Sequence, residues 1–230
     1  GEDSPQQQLE ALVEAGFIDG GGAFQDGRPT MTVDDTLTLT ASLPSQEITV
    51  EAASSGPAAE VAVEGNTLTL TAMEAGDANI SITLSMPGLR PVTWTGHVSV
   101  RLHTQELSAV LTPVPDDLLP EDPPSQADGC TDGALTCSYE DGVLTLQSGT
   151  TAALDLIGEE GTVFLLQGGE GGCVDASLHN GLLLVTAREP GEAALVVTGE
   201  KEKYEPAGLE ILVEAQLPPV TFQLEAMGLD

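Results

Sequence analysis

Three cysteines, three histidines and a run of carboxylates are the side chains in this 230-residue chain best suited to cross-link, ligate or catalyse. Cys130, Cys137 and Cys173 allow one disulfide with one free thiol, or three free thiols. The leading pairing is Cys130–Cys137, close in sequence, where a bridge would contribute roughly 2–2.5 kcal/mol by closing a short loop. Cys137–Cys173 is the rival, since Cys173 opens an expected strand, and a chain with no disulfide is the third alternative. No cysteine has a His or Lys beside it in sequence, which argues against an activated thiol. His97, His103 and His179 are far apart and match no zinc spacing, so each reads as a solvated surface residue. Asp116, Asp117, Glu121 and Asp122 could offer hard oxygens to Ca²⁺, although the alternate-residue spacing and fixed glycine of an EF-hand loop are missing. Calcium is therefore the one cofactor considered, with plain solvation of these acids as the alternative. No G-x-S-x-G occurs, and Gly168-Gly169-Glu170-Gly171-Gly172 lacks the lysine of a phosphate loop, so it reads as a turn. Trp94, Tyr139 and Tyr204 are candidate exposed aromatics, but at 3% aromatics are too few for a sugar-stacking platform. No catalytic residue is assigned, and the chain is read as a non-enzyme.

The charge balance narrows the partners. With 37 acidic and six basic residues the net charge is −31, a surface that repels phosphate backbones and anionic lipid. Nucleic acid and membrane insertion are thus not expected. No stretch approaches the roughly 20 apolar residues of a membrane helix. The polar opening Gly1-Glu2-Asp3-Ser4-Pro5, without an initiator Met, reads as a chain from which an export signal or lipid anchor has been removed. Twenty-six glycines and 15 prolines among Val, Leu, Ala and Thr suit short strands joined by turns.

The elements that must carry these residues are written twice. Leu68 to Thr83, LTLTAMEAGDANISIT, recurs as Leu183 to Thr198, LLVTAREPGEAALVVT, at an offset of 183 − 68 = 115. The register extends from 24/139 to 100/215 without a necessary gap. Inward positions expected from period-2 alternation are the pairs Leu39/Leu154, Ala41/Leu156, Ile48/Val163, Val50/Leu165, Val63/Leu178, Leu70/Val185, Ile80/Leu195, Ile82/Val197 and Val98/Val213. Seven strand-like runs per copy fit a two-sheet sandwich. Glu74-Ala75-Gly76-Asp77 and Glu189-Pro190-Gly191-Glu192 suggest type II turns between the fifth and sixth strands. Gln6 to Ala15 favours a short helix with Leu9, Leu12 and Val13 on one face, as a tail or lid on the first module.

The pattern Ser54-Ser55-Gly56, Val61-Ala62-Val63-Glu64-Gly65 and Gly76-Asp77-Ala78-Asn79-Ile80 resembles bacterial immunoglobulin-like (Ig-like) domains of group 2, as on invasin- and intimin-type surface proteins. Val174 to Gly181 and Gly191 to Val197 carry it in the second copy. The tryptophan often found ahead of the Ser-Ser segment in that family is absent from both copies. The resemblance implies an all-β protein of two tandem Ig-like β-sandwich domains with a short N-terminal helical segment. The expected divisions are a tail at 1–23, a first sandwich at 24–102, a Pro-rich acidic linker at 103–138, long enough for part of it to lie along a module surface or add an edge strand, a second sandwich at 139–215, and a tail or extra strand at 216–230. The implied role is a non-enzymatic, exported cell-surface protein for adhesion or spacing, whose partner is an unknown protein or glycan. The alternative is a glycan- or protein-binding accessory module of a secreted enzyme.

Overall fold

A computed structural model describes residues 2–15, 18–19, 29–119 and 137–218. The chain forms two compact units, Gly1–His103 and Thr104–Asp230. The first opens with helix α1 (Pro5–Ala15). The Ser4 hydroxyl accepts from the Gln7 amide at 3.3 Å, and the Gln7 side-chain oxygen accepts from the Ser4 amide at 2.8 Å. This is a reciprocal capping box with proline at the first helical position. Leu9 is buried in the first core, with Leu12 and Val13 packed against it. The Gln6 amide clamps the Arg90 backbone, accepting from its N–H at 2.8 Å and donating to its carbonyl at 3.2 Å. The helix is thus tied down at its start by hydrogen bonds and along one face by burial.

Eight strands follow: β1 (Ile18–Asp19), β2 (Thr30–Thr32), β3 (Thr36–Ala41), β4 (Thr49–Ser55), β5 (Ala59–Glu64), β6 (Thr67–Ala72), β7 (Gly76–Ser85) and β8 (Val92–Arg101). They make two sheets, β1-β3-β6-β5 and β2-β8-β7-β4. The second unit has β9 (Ser108–Thr112), β10 (Cys137–Glu140), β11 (Val143–Gln147), β12 (Thr151–Ile157), β13 (Val163–Gln167), β14 (Val174–His179), β15 (Leu182–Ala187), β16 (Gly191–Glu200) and β17 (Ala207–Gln216). Its sheets are β9-β12-β15-β14 and β10-β11-β17-β16-β13. Lettered in chain order, each unit sets an A-B-E-D sheet against a C-F-G sheet, the Ig-like arrangement. A further strand runs parallel to the last one in each, β2 along β8 and β11 along β17.

The cores follow from alternation. In β6, TLTLTA, Leu68, Leu70 and Ala72 are buried and the threonines lie outward. Ile80, Ile82 and Val98 face them from β7 and β8, and Leu195, Val197 and Val213 hold the matching places in the second unit. The duplication also reaches the backbone. Positive φ recurs at Asp34/Gly149, Gly65/Asn180, Gly76/Gly191 and Gly88/Lys203, all 115 apart.

Three expectations are corrected. First, β13 is out of phase with the uniform offset. Ala52 pairs with Ile82, but it is Leu166, not Gln167, that pairs with Val197, an offset of 166 − 52 = 114. Val163 and Leu165, expected inside, are 61% and 46% exposed, while Phe164 and Leu166 pack on the core. The lost residue is regained before β14, where Val174 opposite Ala187 matches Ala59 opposite Ala72. Second, the turns at 74–77 and 189–192 are not type II. They carry the chain from one sheet to the other, and Gly76 and Gly191 take φ of 146° and 154°, far from the type II value. Third, within the segment 103–138 the edge-strand alternative replaces a bare linker, since β9 pairs with β12 over Ser108–Thr112 as the outer strand of its sheet. The proline-rich run therefore follows a strand of the second unit instead of joining two finished domains. The strand-like segment 220–224 lies outside the described residues.

Candidate functional site

The side chains singled out for chemistry are spread through the fold, and most are occupied by structural contacts. Cys137 begins β10, is buried, and is disulfide-bonded. Cys173 is a free, half-buried thiol, so the Cys137–Cys173 pairing is not formed. Cys130, Glu121 and Asp122 lie outside the described residues. The Cys173 carbonyl accepts from the Arg188 and Glu189 amides at 2.7 and 3.2 Å; in the first unit the Ala58 carbonyl accepts from Met73 and Glu74 at 2.8 and 3.3 Å. Cys173 thus stands where the other copy has alanine, holding the inter-sheet corner against Gly191. A position filled by alanine in the twin module needs no thiol chemistry.

His97 is exposed on β8, and its Nδ1 is hydrogen-bonded to Asn79 Oδ1 on β7. His179 ends β14 with Nε2 3.0 Å from the Ser177 hydroxyl. His103, half-buried, closes the first unit. Asp116 and Asp117 sit on a 3-10 turn, Asp116–Leu118, whose start has no side-chain cap. Among the described residues, no three His, Cys, Asp or Glu side chains come together in a metal-binding group. No helix there is long and apolar enough to cross a membrane.

The aromatics singled out make separate contacts. Trp94 packs half-buried on the first core, and Tyr139 packs on the second, where burial pushes its phenol pKa up. Tyr204 carries the Lys201 ammonium 4.6 Å from its ring centroid, a cation–π contact.

Among the open clefts of the described residues, two occupy equivalent places in the two units. One, of about 650 Å³, is lined by Leu43, Pro44, Ile48, Val50, Val63 and Asn66 in the first unit. The other, of about 630 Å³, is lined by Ile157, Thr162, Val163, Phe164, Leu178 and Gly181 in the second. Their recurrence shows that they come with the fold, between the connection from β3 to β4 (β12 to β13 in the second unit) and the turn after β5 (after β14). The surfaces differ more than the clefts do. Of seven exposed large apolar side chains among the described residues, only Met73 is in the first unit; Val110, Ile157, Val163, Leu165, Leu212 and Leu217 are in the second. Alternation in the sequence could not reveal Val163 and Leu165 as surface residues, because TVFLLQ offers an apolar side chain to both faces.

No protein-family model matches the chain, and no curated protein matches it. Among solved structures it is similar to the N-terminal Ig1-2 module of the Drosophila receptor protein tyrosine phosphatase DLAR, at 11% identity over 83% of this chain and 95% of that one, TM-score 0.28. It is also similar to fibronectin(III)-like modules of Clostridium thermocellum CbhA, at 8% identity over 86% and 94%, TM-score 0.28. A third likeness is to domains 4 and 5 of the S-layer protein SbsC, at 15% identity over 78% and 82%, TM-score 0.30. Matches this distant carry no argument about function. On the strand order and pairing of its own sheets, the chain is a pair of tandem Ig-like β-sandwiches.

Proposed function

We propose that the chain is an exported, non-catalytic protein of the bacterial group 2 Ig-like type, acting at a cell surface in adhesion or as a spacer. The observation that carries this reading is the use made of its reactive side chains within a duplicated sandwich. Cys137 is tied into a disulfide, Cys173 fills an alanine position, and His97 and His179 are paired with Asn79 and Ser177. A structural disulfide in a small β-domain fits an oxidising, extracytoplasmic compartment. The half-buried packing of Trp94 and Tyr139 gives no support to the glycan-binding accessory module. Lys201 and Lys203 are the only lysines, and Lys203 is exposed. Treating intact cells of the source organism with a membrane-impermeant amine reagent should label Lys203. Labelling that appears only after the cells are broken would refute export.

A further inference from the structure

β13 lies at the margin of the five-stranded sheet and, among the described residues, pairs with β16 alone. An edge strand offers a row of unsatisfied N–H and C=O groups, and natural proteins guard such edges with charge, proline or a bulge. The first unit does so. β4 occupies the same margin, and with Ala52 aligned on Leu166, Glu51 falls on Leu165 and Thr49 on Val163. The second unit puts Leu and Val there, 46% and 61% exposed. From Gly161 to Gly169, GTVFLLQGG, there is no charged residue in a chain of net charge −31.

We propose that this edge is a self-association surface, on which two copies of the chain pair β13 to β13, antiparallel, about a twofold axis at Leu165. The charge distribution selects the occupant. Two copies approaching through the acidic parts of their surfaces bring carboxylates together, whereas Gly161 to Gly169 carries none. A cationic partner gains nothing from a strand without carboxylates. The strand is also complementary to itself. Centred on Leu165, the pairing sets Phe164 of one copy opposite Leu166 of the other on the core side, twice. On the outer side Leu165 meets Leu165, and each Val163 meets a Gln167. Such an isologous joint closes at two copies and cannot propagate as a fibre. Glu160 and Glu170 flank the segment and approach their counterparts across the joint, so screening by salt strengthens the dimer.

Sedimentation velocity of the full chain from roughly 1 to 200 μM, the range of a small transient interface, tests this. The wild type should shift from monomer to dimer with concentration, and tighten severalfold when salt rises to about 0.5 M. Leu165→Glu, which installs the residue type already tolerated at the same place in the first unit, should stay monomeric at every concentration. Leu165→Thr, without added charge, should weaken the dimer about tenfold or more. Matching circular dichroism and melts would show that both variants are folded. In hydrogen exchange, the 163–167 amides should gain protection as the wild type is concentrated. A wild type that stays monomeric at high salt would overturn the proposal and leave the edge to a strand of another protein. So would a Leu165→Glu variant that dimerises as the wild type does, or association without added protection of β13.

Discussion

Replacing Gly168 by alanine should cost the second sandwich far more than the same change at Gly171, three residues on. Both have positive φ, 92° and 73°, so each alanine carries left-handed strain of about 1–2 kcal/mol. They differ in surroundings. A Cβ on Gly168 would lie 2.7 Å from the Ala194 carbonyl oxygen, inside β16, whereas one on Gly171 would meet nothing within 4 Å. Backbone in a central strand cannot swing aside as a side-chain tip does, so overpacking adds about 1–3 kcal/mol at Gly168 alone. The expected losses are roughly 2–5 kcal/mol for Gly168→Ala and about 1–2 kcal/mol for Gly171→Ala. Against a domain stability of about 5–15 kcal/mol, the first is a large fraction. At about 4 °C per kcal/mol for a module of this size, the second unit should melt roughly 8–20 °C lower with Gly168→Ala. Gly169 sharpens the contrast, its Cβ falling 2.6 Å from Ala176 Cβ. Urea denaturation of both variants, with hydrogen exchange assigning the loss to the second unit, is the assay. If Gly168→Ala proves no worse than Gly171→Ala, the close approach of this loop to β16 is wrong, and with it the account of how β13 recovers its register.

Other predictions follow from the same structure. Ile82→Asp puts an uncompensated charge at a fully buried site and should unfold the first sandwich, at a cost of several kcal/mol. If the units fold independently, the second keeps its own transition; one concerted melt would contradict that. Cys173→Ala should change stability by less than about 1 kcal/mol, because Ala58 serves the same corner in the first unit. Non-reducing peptide mapping should find Cys130 joined to Cys137, with Cys173 alkylated without reduction; Cys173 recovered in a disulfide would refute this. Burial raises the Tyr139 pKa above its ordinary 10.0, favouring the neutral phenol in the folded state. Its contribution is therefore full below about pH 10 and lost as pH climbs above that value. Tyr139→Phe should flatten the alkaline fall in the second unit's melting temperature, and an unchanged profile would count against it. Calcium titrated into metal-free protein should release no heat if Asp116 and Asp117 are simply solvated; saturable heat would reverse that reading.

How much of this was legible in the sequence depended on whether polar residues marked the phase. In β6 and β7, threonine, serine and asparagine alternate with leucine and isoleucine, so the inward set could be named residue by residue. In β13 four apolar residues in a row erased the alternation, and a uniform offset then placed Val163 and Leu165 on the wrong face. The missing residue was hidden because the glycine-rich loop at 168–172 makes it up before β14. β9 was obscured for another reason: SAVLT is short, and Pro113 and Pro115 beside it suggested a linker. The corners at Gly76 and Gly191 could be recognised as turns, but a local motif does not say whether a turn joins strands of one sheet or crosses between two. Among the candidate site residues, the sequence offered the cysteines and histidines; what it could not show was that His97 meets Asn79, or that Cys173 takes an alanine's place.

The central claim is that one Ig-like sandwich is built twice, with β2 to β8 repeated at an offset of 115 that drops to 114 only where β4 is matched by β13. Cross-strand backbone NOEs in the labelled protein test it most directly. The account predicts contacts Ala52–Ile82 and Ile80–Gly96 in the first unit, with Leu166–Val197 and Leu195–Ile211 in the second. A Gln167–Val197 contact in place of Leu166–Val197 would contradict the shifted strand, and absence of the Leu195–Ile211 contact would contradict the second sandwich itself.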